Sequence, residues 1–338
     1  MRSRYSIVLA VATAAAIMTT LISTVEAQPA TTVIKLSVAT LNDANHEWMK
    51  RFAALIEKNS DGRMKAEIYP ASQLGSIPRQ IEGAQLGSIQ IVLSAPEFLV
   101  GVDPRFELLA APGMFHNDNQ VIKAITDPEF ANAFLAIGAS KGLLGAGLLF
   151  NGPAAFAMRA PARTLADFKG KKIRVLASPF QTEQIARLGG TGVPMTTADV
   201  LPALQQGTID GALASVPVIS TLHLQDAARY ITETDQSYVM TVVLVSKKWF
   251  DGLPAHLQAI TRAAATQVNN EIRPWAFDFL LEQRKAWVGK GGELIALSPA
   301  DKAELAARYH TIGDDIVKSK PQLKPMWDLL VATARRSL

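Results

Sequence analysis

Between Val33 and Tyr69 the chain changes its hydrophobic period twice. Val33–Thr40 alternates, with Ile34, Leu36 and Val38 on one face, the pattern of a strand. His46–Asn59 then carries Trp48, Phe52, Leu55 and Ile56 at helical spacing, with Lys50, Arg51, Glu57 and Lys58 mostly opposite. Asp61-Gly62-Arg63 reads as a turn, and Met64–Tyr69 alternates again through Met64, Ala66 and Ile68. A strand, a helix and a strand in such close succession predict a β-α-β unit. Its strands run parallel, because the helix carries the chain back across the sheet.

The alternation continues. Ser76–Leu86 reads as a helix and Ile89–Ser94 as an apolar strand. Thr197–Gln206 reads as a helix with Thr196 or Thr197 as N-cap, followed by a strand from Ile209. Gln85-Leu86-Gly87-Ser88-Ile89 and Gln206-Gly207-Thr208-Ile209 share one grammar: a helix, a glycine stop, and a strand that starts at isoleucine. That match suggests two lobes of similar design. Lys171–Leu176 and the β-branched run Tyr238–Ser246 read as further strands. Pro254–Trp287 carries Leu257, Ile260, Ala264, Val268, Ile272, Trp275 and Phe279 at steps of three and four. It reads as one long helix, or two meeting near Pro274, ended by Gly289, Gly291 and Gly292. The fold class is α/β with open sheets.

Composition narrows the function. A chain of 338 residues has room for about two domains, and 49% hydrophobic residues against 19% charged can bury a large core. The net charge of +4, with no block of five Lys or Arg, gives no footprint for nucleic acid. There is no cysteine, which excludes disulfides, cysteine-ligated metals and cysteine nucleophiles and suits an oxidising compartment. Arg2 and Arg4 precede an uncharged, mostly apolar run from Tyr5 to Val25, and Val25-Glu26-Ala27 follows. This reads as a secretory signal cleaved after Ala27, with an uncleaved anchor as the competing reading; Thr13, Thr19, Thr20, Ser23 and Thr24 dilute the run and favour cleavage. No later segment is long and apolar enough to cross a membrane.

Enzyme signatures are missing. The sequence has no Walker loop, no His-Glu-x-x-His and no GxGxxG. His46, His116, His223, His256 and His310 are scattered, so no metal site is expected and nothing calls for a cofactor. Trp48, Trp249, Trp275, Trp287 and Trp327 read mostly as core residues. Arg174 stands apart. It sits between Ile173 and Val175, near the end of a strand, where open α/β sheets bind ligands. A covered arginine there needs an anion, and its planar fork suits a carboxylate. A structural partner such as Asp210 is the competing reading.

Several strings in order then resemble one family. They are Ile68-Tyr69-Pro70-Ala71-Ser72-Gln73-Leu74-Gly75; Phe150-Asn151-Gly152; Leu165-Ala166-Asp167-Phe168-Lys169-Gly170-Lys171-Lys172-Ile173-Arg174-Val175; Leu204-Gln205-Gln206-Gly207-Thr208-Ile209-Asp210-Gly211; and Leu244-Val245-Ser246 before Leu253-Pro254. Together they resemble the solute-binding subunits of tripartite ATP-independent periplasmic (TRAP) transporters, DctP-like, over nearly the whole chain after the signal. The resemblance implies a two-lobed periplasmic-binding-protein-like fold with a ligand cleft between lobes, crossed by connecting strands and a long helix. Residues 1–27 are then the signal peptide, 28–151 with about 240–279 lobe I, and 152–239 with about 280–338 lobe II. The implied function is capture of a small organic acid and its delivery to TRAP permease membrane subunits. A periplasmic sensor reporting to a receptor, and a periplasmic enzyme on the same scaffold, are the rivals.

Arg174 occupies the family's carboxylate-holding position. The other expected ligand-facing residues are Thr40, Ser94, Glu97, Phe156, Arg159, Ala214, Ser215, Tyr238 and Met240. Two departures matter. Ala154 stands where many members carry a second Arg, and Ala214 where many carry Asn. One cation with added apolar lining favours a monocarboxylate over a dicarboxylate or a polyhydroxylated sugar acid. Arg159 is the group that could restore the second cation.

Overall fold

Residues 31–338 are described by the structure, a computed structural model. The expected signal, residues 1–27, lies outside the described residues. The first unit runs β1 (Thr32–Val38), α1 (Ala44–Asn59), β2 (Met64–Tyr69), α2 (Ile77–Leu86) and β3 (Ile91–Ser94). Asp43 caps α1 by accepting the His46 N–H at 3.0 Å, and Trp48, Phe52 and Ile56 are buried completely. That apolar stripe covers Ile34, Leu36 and Val38 on β1. Both β2 and β3 pair with β1 in parallel.

The chain then forms α3 (Asp118–Thr126), α4 (Pro128–Leu135) and β4 (Leu143–Met158). A second unit follows the plan of the first: β5 (Lys172–Val175), α5 (Pro179–Arg187), β6 (Thr191–Pro194), α6 (Val200–Gln206) and β7 (Gly211–Ser215). Here β6 and β7 both pair with β5 in parallel. Next come α7 (Val216–Thr221), β8 (Tyr230–Ser246), α8 (Lys247–Asp251), α9 (Ala255–Gly289) and β9 (Glu293–Ala296). The chain closes with α10 (Pro299–Tyr309), α11 (Ile312–Ser319) and α12 (Lys324–Arg336).

One sheet joins both units in the order β2-β1-β3-β8-β4-β7-β5-β6, with β9 also on β8. The long antiparallel strands β4 and β8 make this possible. The C-terminal half of β8 pairs with β3, and its N-terminal half pairs with β9. The C-terminal half of β4 pairs with β7. Between the halves the β4–β8 register breaks at Phe150, Pro153 and Ala155, where Gly152 takes φ +107° and Asp235 φ +54°. Pro153 cannot donate to the ladder and Gly152 needs the left-handed side of the map, so the interruption is written into the residues.

The long helix α9 is continuous through Pro274. It packs on α1 and β4 on one side and on α7 and β9 on the other. Asn269 binds the Ala146 carbonyl and accepts from the Trp48 indole, both at 2.8 Å. Further along, Gln283 accepts from Ser220, and Arg284 pairs with Glu233. Of the C-terminal helices, α11 packs on α5, whereas α12 packs on α3 and α4.

Some elements differ from the sequence reading. The strand expected over Tyr238–Ser246 starts at Tyr230. Helix Thr197–Gln206 splits into a 3-10 turn, Thr197–Asp199, and α6. The strands expected from Ile89 and Ile209 begin at Ile91 and Gly211, since the residues after each helix-ending glycine complete the cap.

Candidate functional site: a cavity at the ends of the parallel strands

A cavity opens where the parallel strands end. Thr40 follows β1, Ser94 and Ala95 close β3, Arg174 and Leu176 stand at the end of β5, and Leu213 and Ala214 at the end of β7. The interrupted stretch of β4 and β8 adds Asn151, Val239, Met240 and Thr241. Helices contribute Asn45, Gln181 and Val218. Carboxyl ends of strands are where open α/β sheets bind ligands, because the strand edges there diverge and leave backbone groups uncovered.

Arg174 is 3% exposed, flanked by Ile173 and Val175, which pack into the core beneath α5. Its Nε donates to the Met195 carbonyl at 3.1 Å and Nη1 to the Leu213 carbonyl at 3.4 Å. Nη2 is buried and has no partner. Two backbone carbonyls therefore orient the guanidinium and leave one edge of the fork unused. Burial pulls its pKa down to about 10, and Glu97 opposes that shift. The partner considered from sequence, Asp210, is elsewhere engaged: its carboxylate accepts the Lys172 N–H at 2.8 Å.

Glu97 supplies the opposing charge. It lies in the 3-10 turn Pro96–Leu99 just after β3 and is 2% exposed. Its Oε1 accepts from Gln181 Nε2 at 3.1 Å, and its Oε2 has no partner. No ion pair within 4.0 Å joins it to Arg174. Burial pushes its pKa up to about 7, against its own backbone hydrogen bond, Arg174 and Gln181, which pull the other way. The remaining polar lining is neutral. Asn151 Nδ2 donates to Thr241 Oγ1 at 2.7 Å across the strand interruption. Asn45 Nδ2 reaches the α1 cap Asp43 at 3.3 Å, and its Oδ1 has no partner. Burial raises the pKa of Asp43.

The structure brings together five of the sequence-nominated residues on the cavity wall: Arg174, Thr40, Ser94, Ala214 and Met240. Glu97 stands directly behind the wall through Gln181. Four others lie away from it. Phe156 packs on Phe168 at 4.8 Å between ring centres. Ser215, fully buried, precedes α7, and Tyr238 packs between Phe115 and Phe150. Arg159 is exposed beyond the far end of β4, beside Gly207. It lies about 13 Å along the strand from Ala155, the partner of Ala214. Asn45, Gln181 and Thr241 were not foreseen, because neutral polar side chains carry no spacing signature. Asn151 was seen only as part of a motif.

Residues 37–320 match the family described as "Bacterial extracellular solute-binding protein, family 7", DctP. The chain is 27% identical over 283 residues to the 2,3-diketo-L-gulonate-binding periplasmic protein YiaO of Escherichia coli, covering 83% of this chain and 85% of that one. It superposes with a TM-score of 0.82 at 27% identity on a TRAP periplasmic solute-binding protein from Xanthobacter autotrophicus with bound β-D-galacturonate, covering 88% of this chain and 99% of that one. A Shewanella oneidensis TRAP protein with bound succinate shares the fold, with a TM-score of 0.85 at 22% identity over 90% of this chain and all of that one. The chain belongs to the DctP family of solute-binding proteins, the two-lobed binding subunits of TRAP transporters. The relative from Escherichia coli is periplasmic.

Proposed function

We propose that the protein captures a small organic acid in the cavity between its two parallel units, with Arg174 gripping the carboxylate, and hands it to a TRAP permease. One observation carries this reading: a buried guanidinium, oriented by two backbone carbonyls, whose Nη2 has no partner and which lines the cavity. A buried cation held this way lacks one anionic contact, and a carboxylate supplies it in fork geometry. Relatives bear out the ligand class: their bound or named ligands include galacturonate, succinate and C4-dicarboxylates.

Within that class a monocarboxylate suits this cavity best. Among the described residues Arg174 is the one cation on the wall, Ala154 and Ala214 bring no second polar anchor, and Arg159 lies well away. A second ligand carboxylate would be buried without a partner. Export through cleavage after Ala27, a mature start at Gln28, and division into the lobes 28–151 with about 240–279 and 152–239 with about 280–338 belong to the same reading.

A thermal-shift screen tests it. Branched 2-oxo acids and aromatic monocarboxylates should raise Tm, and succinate, malate and sugar acids less or not at all. A shift with dicarboxylates alone would end the monocarboxylate reading. No shift with any acid would end the reading as a whole.

A further inference from the structure

Arg174 and Glu97 are both buried and act on each other electrostatically, yet no ion pair within 4.0 Å joins them. Arg174 Nη2 and Glu97 Oε2 are both buried and both lack a partner. A ligand carboxylate on Nη2 would place two anions around one cation in surroundings nearly closed to water. Such a site holds an uncompensated buried charge unless one carboxylate becomes neutral. We infer that Glu97 takes up one proton when an acid occupies Arg174, so that the protein binds its ligand as an anion together with a proton. This rests on the reading of Arg174 as the carboxylate-binding group.

Glu97 is suited to that exchange. Burial already holds its pKa near 7, and a second carboxylate nearby raises it further. Among the described residues its surroundings supply no other unpaired buried charge. Gln181 on α5 and Ser94 on β3 are neutral. On the elements packed against its turn, Glu107 pairs with Lys320, Arg105 with Asp103, Glu233 with Arg284 and Asp235 with Lys302, while Arg79 and Glu82 are exposed. Arg174 is the charged group that acts on Glu97.

The sign follows from linkage. Below about pH 7 Glu97 is protonated with or without ligand, so affinity is level. Above it the empty protein has lost the proton and the complex keeps it, so affinity falls by up to about tenfold per pH unit. The ligand for the test is whichever of succinate, D-galacturonate, 4-methyl-2-oxopentanoate or phenylacetate raises Tm most. Calorimetry of the whole mature chain in buffers of different ionisation enthalpy should show close to one proton taken up per acid at pH 8 and little at pH 6. Glu97→Gln should flatten the profile, abolish the uptake and bind about tenfold or more tighter than the wild type at pH 8.5. A flat profile without proton uptake in the wild-type protein, with binding still lost in Arg174→Ala, overturns this inference and leaves the carboxylate reading standing. So does a folded Glu97→Gln variant that no longer binds at any pH, because Glu97 would then act as an anion. Absence of binding that depends on Arg174 overturns both readings.

Discussion

Thr32–Ser94 and Lys172–Ser215 are built alike. Each is strand, helix, strand, helix, strand, with the first strand in the middle and the other two parallel on either side. Two backbone bonds of the helix-to-strand turn recur in both units. Gly87 N–H bonds to Ala84 and Ser88 N–H to Gly83; Gly207 N–H bonds to Leu204 and Thr208 N–H to Ala203. Even the hydroxyls repeat, Ser88 to Gly83 at 3.2 Å and Thr208 to Ala203 at 3.1 Å. Both glycines sit in the left-handed region, φ +86° and +72°, which a side chain would resist. Beyond each third strand comes Ser-x-Pro and a new helical turn: Ser94-Ala95-Pro96-Glu97 and Ser215-Val216-Pro217-Val218.

The units part company in charge. On the central strands the register pairs Ser37 with Val92 and Arg174 with Ala212, each five residues past the turn glycine. Serine in one unit thus stands where arginine stands in the other. After Ser-x-Pro the first unit has Glu97 and the second Val218. The frame is repeated, whereas each charge is placed once, one sign in each unit. Duplicated architecture gives two sets of strand ends, and the binding chemistry lies in the positions where they were not kept the same.

The difference between the two units should matter most at Arg174. Charge-assisted hydrogen bonds contribute about 1.5–3 kcal/mol, so Arg174→Ala should weaken acid binding roughly ten- to a hundredfold by calorimetry. Arg174→Lys should restore only part, because an ammonium lacks the planar fork. Unchanged affinity in Arg174→Ala would remove the asymmetry from the binding chemistry, and a variant that unfolds would make Arg174 structural. Restoring the symmetry is the next test. Val218→Glu gives the second unit the carboxylate of the first, on a half-buried position of the cavity wall. Two anions would then oppose the ligand, and affinity should fall about tenfold. No change would mean that the position after Ser-x-Pro is electrostatically silent. The smallest effects should come from the shared frame. Gly87→Ala and Gly207→Ala each force a side chain into left-handed backbone, costing about 1 kcal/mol and about 2–4 °C in Tm. The added methyls would meet only flexible ends, Lys248 Cδ at 3.3 Å and Arg159 Nη1 at 2.8 Å. The two melting shifts should agree and ligand affinity should stay put. A loss of affinity at one glycine alone would show that the turns are not equivalent.

Those turns were legible in the sequence, because glycine, a hydroxyl and isoleucine carry local rules. So were β2, whose bounds match, and the long helix α9. The connecting strand β4 was not foreseen. Its residues include Gly145, Gly147, Gly152, Pro153 and four alanines, poor strand formers by propensity. The structure gives the reason: a Cβ on Gly145 would lie 2.6 Å from the Leu135 carbonyl, and one on Gly147 2.4 Å from Asn269. Close approach of neighbours, invisible to propensity, chose those residues. In the site, Arg174 was readable because a charge inside an apolar strand is conspicuous. Ser215 fell one residue from Ala214, and a strand turns successive side chains to opposite faces.

The strands shared by both units bear on how such a protein can be rebuilt. On the proposed division into lobes, a chimera that takes one lobe from a relative must cut β4 near Gly152–Pro153 and β8 opposite, and then rejoin four half-strands. A one-residue slip at either junction would turn that half-strand's cavity-facing side chains to the far side of the sheet. Exchange of whole lobes is therefore a demanding route to a new ligand. Point substitution at the strand ends, one position at a time, leaves every junction intact.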